Sequence, residues 1–227
     1  MPRYVLLTGL AGLLSCASAG AETSAGIVSD YRYRGLSLTG GQPSVHVAWA
    51  WDGDAGGYAG VVAAGTEIGE EPGVQLVSYT GRGWRLQNGR SIEAGVQYVA
   101  FSRHRNEDYA ELYVGALSDR WSMRAYYQPE PLGDYGPAAY VEGNLSRPVG
   151  ERILLFGHVG AGWRGGPLAP GTDRTYLDGR IGVGMEAAAF NFYVQYVAVA
   201  GRTGYLAGDV GPGADASGWV VGLSRSW

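Results

Sequence analysis

The sequence predicts an all-β fold, a single antiparallel transmembrane β-barrel of about twelve strands, preceded by a cleaved signal peptide. Three observations indicate this fold class. The chain begins with an export signal, ends on a strand with one apolar face, and consists in between of long alternating segments separated by turn residues. Side chains of a strand alternate between two faces, and about nine to eleven residues cross the hydrocarbon layer when the strand is tilted.

The export signal is an apolar run at residues 4–14 that follows a basic start and precedes small residues at the cleavage positions Ala19 and Ala21. The run is too short to span a membrane as a helix, and its order of basic, apolar and small residues is typical of a secretory signal. The expected division is therefore a signal peptide at residues 1–21 and a barrel at residues 22–227. The single cysteine lies in the signal, so a disulfide is not expected in the mature chain.

The remaining sequence reads as a series of strands bounded by Gly, Pro, Asn and Asp turns. The predicted strands are residues 25–38, 42–52, 56–66, 73–86, 90–102, 107–118, 120–128, 136–147, 152–163, 173–187, 189–200 and 217–227. Most are about twice the usual length of five or six residues found in globular proteins. Connections after odd-numbered strands are mostly long and those after even-numbered strands short, as in outer-membrane barrels, although the first, at 39–41, is short.

The last predicted strand has two unlike faces. Trp219, Val221, Leu223 and Trp227 share one face, and small or polar residues share the other. A terminal aromatic residue on an outward apolar stripe is expected, from the resemblance to outer-membrane proteins, to be recognised by the barrel-assembly machinery. Trp227 is therefore the predicted assembly signal.

The composition favours strands and excludes a basic nucleic-acid binder. The chain has 39 Gly and 16 Tyr, only 17% charged residues and a formal net charge of −4. Glycine inside a helix costs about 1 kcal/mol relative to alanine, whereas Tyr and Trp suit strands and membrane–water interfaces. The acidic balance predicts that nucleic acid is not a partner.

Charged side chains of the strands are predicted to face inward, because an arginine facing lipid at mid-depth costs about 2–4 kcal/mol. The predicted lumen-lining residues are Asp30, Arg32, Arg34, His46, Glu93, Gln97, Glu111, Arg124, Glu142, His158, Asp178 and Arg180. Arg32 and Arg34, two residues apart on one predicted strand, are expected to share a face and to favour anions locally. The alternative is that such charges pair into a network that fills the barrel.

Three segments carry a family resemblance. Residues 29–38 read SDYRYRGLSL and are followed by Pro43, residues 109–121 read YAELYVGALSDRW, and residues 156–163 read FGHVGAGW. Together they resemble the TorF family of proteobacterial outer-membrane porins, over about residues 25–165. The resemblance implies an outer-membrane barrel with a porin-like role, and it specifies no solute. Arg225 departs from the apolar residue usual at an outward position of the final strand.

Catalytic and metal-binding patterns are weak. A serine–histidine lipid hydrolase needs a histidine within hydrogen-bond reach of a serine and an orienting polar group, a pattern that neither His104 nor His158 shows locally. The acidic stretches at 67–71 and 209–215 lack the regular carboxylate spacing of a calcium loop. We therefore expect a protein that is not an enzyme and uses neither a cofactor nor a metal.

The resulting hypothesis is a narrow porin-like channel for passive diffusion of small solutes, in the outer membrane of a Gram-negative bacterium. Its expected partners are outer-membrane lipid, the barrel-assembly machinery and small solutes. One alternative is a plugged structural or adhesion barrel that acts through its external loops, and another is an outer-membrane lipid-modifying enzyme. A continuous open lumen favours the channel, whereas a fully packed interior favours the plugged barrel.

Overall fold

The computed structural model describes residues 20–87, 89–129, 136–166, 174–201 and 216–227. Its strands are β1 Gly20–Val28, β2 Arg32–Tyr33, β3 Leu36–Ser37, β4 Ser44–Asp52, β5 Gly57–Ile68, β6 Glu71–Arg85, β7 Ser91–Phe101, β8 Tyr109–Leu117, β9 Trp121–Gln128, β10 Ala138–Val149, β11 Ile153–Arg164, β12 Thr175–Ala187, β13 Phe190–Ala200 and β14 Gly218–Ser226. A short 3-10 helix, Arg105–Glu107, precedes β8. Most of the predicted signal peptide lies outside the described residues, as does the acidic stretch at 209–215.

Twelve of these strands form one closed antiparallel barrel, which confirms the predicted fold class. Each strand from β4 to β14 pairs with its neighbours in the chain, and β1 pairs with both β4 and β14. The closing pair runs from Ser24, opposite Ser226, to Val28, opposite Gly222. Closure leaves the sheet without an open edge, so its backbone groups find partners within the wall. In the described part of the chain, none of the helices is long and apolar enough to cross a membrane.

Two predicted boundaries are wrong. The first wall strand is Gly20–Val28 rather than residues 25–38, and residues 29–43 leave the wall and fold inward. We call residues 29–43 the inner hairpin, since they contain the paired strands β2 and β3. The predicted loop at 67–72 is instead a two-residue turn, Gly69 and Glu70, between the paired ends of β5 and β6.

The wall is apolar outside and largely polar inside, as alternation along each strand requires. On β11, Val159 is 68% exposed while its neighbour His158 is buried, and on β12 Ile181 is 71% exposed while Asp178 is buried. A barrel with an exposed apolar outer face is built for a hydrocarbon surrounding, since in water such a surface would drive association.

Exposed aromatic side chains form two girdles around the outer face. The turn end of the barrel, where most of the short connections and both ends of the described chain lie, carries Trp49, Trp51, Trp84, Phe190, Phe192 and Trp227. The opposite loop end carries Tyr98, Tyr127, Trp163, Tyr196 and Trp219. Aromatic rings at two levels with aliphatic side chains between them match the two interfaces of a bilayer.

Inside the wall, aromatic rings lie flat across glycines of the adjacent strand. Direct cross-strand pairs of this kind are Gly60 with Tyr79, Gly81 with Tyr58, Gly95 with Tyr113, Gly162 with Tyr176, Gly182 with Phe156, and Gly222 with Tyr193. A Cβ atom at any of these glycines would overlap the ring. Each ring covers backbone that a glycine leaves bare, which stabilises the pair and fixes its register.

We predict that Gly162→Ala destabilises the barrel, because the new methyl group meets the ring of Tyr176 and forces it from its position. The expected loss in free energy of unfolding is about 1–3 kcal/mol, the usual cost of overpacking. Gly157→Ala on the same strand is the matched control, since its Cβ would have its nearest neighbour at 3.7 Å. Urea unfolding in detergent measures both variants, and equal stabilities would contradict the packing role of Gly162.

Candidate functional site: the barrel interior

The side chains predicted to line the lumen all lie inside the barrel. Those that are buried are Asp30, His46, Glu93, Gln97, Glu111, Arg124, Glu142, His158 and Asp178. Those that are partly buried are Arg32, Arg34 and Arg180. Most reach the interior from wall strands, through the alternation of faces. The exceptions are Asp30, Arg32 and Arg34, which belong to the inner hairpin.

The expectation that Arg32 and Arg34 share one face of a wall strand is wrong. Strand β2 ends at Tyr33, and the chain reverses at Arg34 and Gly35, whose φ angles are 51° and 82°. Positive φ at both central residues is the two-residue hairpin turn that matches the twist of paired strands. The pairing of Tyr33 with Leu36 follows from this turn. Arg-Gly is not one of the dipeptides that signal such a turn in a sequence, so the hairpin had no clear sequence signal.

Asp30 organises the inner hairpin. Its carboxylate accepts hydrogen bonds from the Ser37 hydroxyl at 2.5 Å and the Thr39 hydroxyl at 3.1 Å. The Arg32 guanidinium donates to the other carboxylate oxygen at 2.6 Å. A buried carboxylate is tolerated only when it is paired and hydrogen-bonded, and here the hairpin itself supplies every one of these donors. The Asp30–Arg32 pair therefore neutralises its own charge.

Arg34 joins the inner hairpin to the wall. Its two terminal nitrogens donate to the two carboxylate oxygens of Glu111 on β8, at 2.7 and 2.6 Å. The guanidinium carbon also lies 4.8 Å from the ring centre of Tyr126 and 4.4 Å from that of Tyr140. Both partners of the ion pair are buried, with side chains 5% and 1% exposed. This is a planar cation held by a matching carboxylate between aromatic faces.

Further contacts carry the inner hairpin across the bore. The Tyr31 hydroxyl donates to Gln75 on β6 at 2.8 Å, and the Gln97 amide on β7 donates to the Tyr33 hydroxyl at 2.9 Å. On the far side, Gly35 packs so closely against Asp178 of β12 that a Cβ would lie 2.5 Å from it. The hairpin therefore touches opposite walls and occupies the middle of the barrel.

An apolar cluster also holds the hairpin, on the side of the barrel formed by β5 to β8. Leu38 is 1% exposed and packs in a cluster with buried residues of β5 to β8. The other members are Ile68, Val77, Val99, Phe101 and Tyr109, with Tyr31 and Tyr33 against them. The Glu67 amide also donates to the Leu38 carbonyl at 2.7 Å. Burial of a leucine side chain contributes about 1.5–3 kcal/mol, so this cluster stabilises the inward position.

A second buried ion pair lies on the wall itself. The Arg124 guanidinium of β9 donates to Glu93 of β7 at 2.5 Å, and the side chains are 8% and 0% exposed. The Tyr58 hydroxyl donates to the other Glu93 oxygen at 2.8 Å and accepts from the Tyr113 hydroxyl at 2.8 Å. Charge and hydroxyl donors together satisfy this carboxylate, so it faces a network rather than free water.

A third network surrounds His158 and Asp178. The Tyr140 hydroxyl donates to Asp178 at 2.8 Å and lies 3.1 Å from the His158 Nε2 atom. His158 Nε2 is also 3.0 Å from Asp178, and Nδ1 is 2.8 Å from the Asn144 side-chain oxygen. The Asn144 side-chain amide also donates to the Ser122 hydroxyl at 3.4 Å. Ser122 therefore joins this network through Asn144, whereas lipid hydrolysis by a serine–histidine pair requires a direct hydrogen bond between the two side chains.

The acidic turn at 67–71 gives no metal site in the structure. Its residues belong to the paired ends of β5 and β6 and to the turn between them. Among the described residues, there is no group of three or more His, Cys, Asp or Glu side chains placed to hold a metal ion.

Sequence reasoning missed most of the interior tyrosines. The rings of Tyr58, Tyr113, Tyr126, Tyr140 and Tyr176 are buried in one cluster along the inner wall. Neighbouring rings have centre distances of 5.6–6.2 Å, from Tyr113 through Tyr126 and Tyr140 to Tyr176. The alternation along the strand was the sequence signal for four of them: Tyr113, Tyr126, Tyr140 and Tyr176 each lie two residues from an inward charge on the same strand, as Tyr126 does from Arg124. Strand β5 has no inward charge, so Tyr58 lacked this signal.

A protein-family model matches nearly the whole chain. A family model described as a bacterial protein of unknown function, Gcw_chp, matches residues 15–227. The chain belongs to the Gcw_chp family. No curated protein matches the sequence.

Solved structures with a fold similar to that of this chain include porin barrels. The KdgM porin has a TM-score of 0.57 at 10% identity, covering 92% of this chain and 99% of that one. The NanC porin has a TM-score of 0.60 at 9% identity, covering 91% and 99%. The translocator domain of the autotransporter NalP from Neisseria meningitidis has a TM-score of 0.50 at 12% identity, covering 93% and 90%. At these identities the likeness shows the fold alone, an outer-membrane porin-like barrel.

We predict that Glu93→Gln destabilises this Gcw_chp protein by about 1.5–3 kcal/mol, because Arg124 then loses a charged hydrogen-bond acceptor in a buried place. Glu22→Gln on β1, where the side chain is partly exposed, is the control and should change stability little. Urea midpoints give both values. The double variant Glu93→Gln/Arg124→Gln should recover part of the loss, and strictly additive effects would show that the pair is not coupled.

Proposed function

We propose that the protein is an outer-membrane channel for passive diffusion of small solutes, narrowed by its inner hairpin. The observation that carries the proposal is a closed twelve-strand wall, apolar outside and polar inside, that matches porin barrels over nearly their full length. One of the similar solved structures is the KdgM porin in complex with disordered oligogalacturonate. Oligogalacturonate is the solute bound by KdgM. A solute for this chain has to be inferred from the side chains inside its own barrel.

The proposed location is the outer membrane of a Gram-negative bacterium, with the turn end in the periplasm and the loop end outside. Support comes from the two aromatic girdles and from the short connections at one end, which are the periplasmic turns in barrels of this type. The proposed partners are outer-membrane lipid, the barrel-assembly machinery and small solutes. Removal of residues 1–21 as a signal peptide belongs to the same proposal.

The resemblance to the TorF porins supports a role for the inner hairpin in this function. The matching positions of its N-terminal pattern include Asp30, Arg34, Gly35 and Ser37. In the structure, Asp30 accepts a hydrogen bond from Ser37, Arg34 and Gly35 form the hairpin turn, and Arg34 forms the ion pair with Glu111. We propose membership of the TorF porins on this basis, and the pattern then corresponds to a constriction inside the barrel.

The size of the barrel and the side chains inside it make such a channel narrow. Twelve strands at about 4.8 Å spacing and about 40° tilt give a backbone radius of roughly 12 Å. Inward side chains occupy the outer part of this circle, and the inner hairpin occupies the centre. Since the hairpin contacts Gln75 and Gln97 on one side and Asp178 on the other, we propose that solute passage requires the hairpin to move.

A plugged barrel that acts through its external loops is the second candidate. It is favoured by the burial of the ion pairs Arg34–Glu111 and Arg124–Glu93, which fill the interior as a satisfied network would. The two candidates differ in whether the protein conducts, which a planar bilayer measures directly.

We predict that replacing residues 30–41 by a Gly-Ser linker of equal length increases single-channel conductance several-fold in planar lipid bilayers. The change removes Asp30 and its hydrogen-bond partners, Arg34 and Leu38 from the bore while leaving the wall strands intact. Gln42→Ala, at an exposed position beside the replaced segment, is the control and should conduct like the wild type. Absence of conductance in both the wild type and the replaced chain would favour the plugged barrel.

We predict that deletion of Trp227 leaves export intact but sharply lowers the folded, heat-modifiable form in outer-membrane fractions. Trp227 exchanges backbone hydrogen bonds of 3.0 and 3.1 Å with Thr23, and its ring is 65% exposed on the outer face. Its loss removes both a closing pair and the proposed assembly signal. Trp227→Phe keeps an aromatic ring and should restore most of the folded yield, whereas unchanged yield in the deletion would count against the signal.

A further inference from the structure

We propose that the pocket around Arg34 is a binding site for small solutes that carry a guanidinium group, and that Arg34 occupies it as an internal mimic when the channel is closed. The pocket is formed on the wall by Glu111, Tyr126 and Tyr140. The inference rests on the proposed channel function and names the class of solute that such a channel would select.

The geometry of the pocket suits a planar cation. The Glu111 carboxylate receives two parallel hydrogen bonds, at 2.7 and 2.6 Å, from the two terminal nitrogens of one guanidinium. The rings of Tyr126 and Tyr140 lie within 5 Å of the guanidinium carbon, and they come from two neighbouring wall strands. All three side chains belong to the wall strands β8, β9 and β10, so they stay in place when the inner hairpin leaves, whereas the Tyr33 ring, 5.2 Å from the guanidinium carbon, leaves with it.

The chemistry of these groups discriminates between cations. A guanidinium is flat, weakly hydrated and forked, so it pairs bidentately with a carboxylate and stacks on aromatic rings. A potassium ion or a primary ammonium is compact, strongly hydrated and has no fork. Guanidinium therefore loses less hydration than potassium when it pairs with the carboxylate, and the two rings add a cation–π contact. The pocket is therefore selective for guanidinium among monovalent cations.

The charge of the wall points in the same direction. In the middle of the barrel its inward carboxylates include Glu93, Glu111, Glu142 and Asp178, and its inward arginines include Arg124 and Arg180. The inner hairpin adds the self-neutralised pair Asp30–Arg32 and one further cation, Arg34. When the hairpin leaves, the wall keeps an excess of negative charge in a narrow bore, which favours cations. This reverses the local anion preference expected from Arg32 and Arg34 as wall residues.

Competition for the pocket also provides a way to open the channel. A solute that binds the pocket only when Arg34 is absent from it shifts the equilibrium toward the state with the hairpin displaced. The hairpin retains its Leu38 cluster and its hydrogen bonds to Gln75 and Gln97, so its displacement has a cost that solute binding must offset. The site would therefore respond to solute concentration rather than stand permanently open.

The test replaces the Arg34 side chain by guanidinium added from solution. Arg34→Gln removes the internal cation, and millimolar guanidinium chloride is then added to the variant in a planar bilayer in potassium chloride. We expect a larger conductance than that of the wild type, a reversal potential shifted toward cation preference, and a reduction of the potassium current by guanidinium. Urea, the neutral planar analogue, should have no such effect.

Two further variants locate the effect. In Arg34→Gln/Glu111→Gln the half-blocking concentration of guanidinium should rise about tenfold or more, because the carboxylate that pairs bidentately is gone. Arg82→Gln, at an exposed position of β6, leaves Arg34 in the pocket and should respond to guanidinium as the wild type does. If guanidinium reduced the potassium current of all three variants equally, or if urea and guanidinium had equal effects, the proposal of a guanidinium-binding pocket would be wrong.

A wild-type measurement keeps the test independent of the folding of variants. Under bi-ionic conditions, with guanidinium on one side and potassium on the other, the reversal potential should give a permeability ratio above one for guanidinium. A conducting channel with a ratio below one would overturn the guanidinium inference and leave the channel intact. A protein without conductance under any of these conditions would overturn the channel itself.

Discussion

Every polar group inside this barrel must find its partner inside the barrel. The outer face is apolar and meets hydrocarbon, so a charge on the wall cannot turn outward without a cost of several kcal/mol. Buried carboxylates such as Glu93 and Glu111 are instead held by arginines and hydroxyls at hydrogen-bond distance. The inner hairpin is part of this solution, because it supplies Arg34 to Glu111 and brings its own pair, Asp30–Arg32.

The pairing of aromatic rings with glycines explains how the same interior is filled. A ring that lies across a glycine of the adjacent strand stays close to the wall, as Tyr176 does over Gly162 and Tyr79 does over Gly60. The centre of the bore is thereby left for the inner hairpin, while the tyrosine hydroxyls remain available to the buried carboxylates. High glycine and tyrosine contents are two aspects of one packing arrangement.

The likeness to porins concerns the wall, and the interior gives this protein its own chemistry. A closed antiparallel wall is determined by alternation and turn lengths, which sequences with about a tenth of their residues in common satisfy equally well. Selectivity depends on a few inward side chains and on whatever occupies the bore. In this family member the interior groups that meet at the inner hairpin are one guanidinium, one carboxylate and two tyrosine rings.

The sequence by itself determined the barrel, the position of most strands and the face to which each wall residue belongs. Period-two alternation is local, so Glu93, Arg124 and Asp178 were assigned an inward face from their immediate neighbours alone. Only the tertiary structure decided that residues 29–43 leave the wall, because an alternating segment reads the same whether it extends a strand or folds into a hairpin at Arg34 and Gly35. The partner of each charge was likewise beyond the sequence, since Arg34 and Glu111 are 77 residues apart and meet only after the barrel has closed around the hairpin.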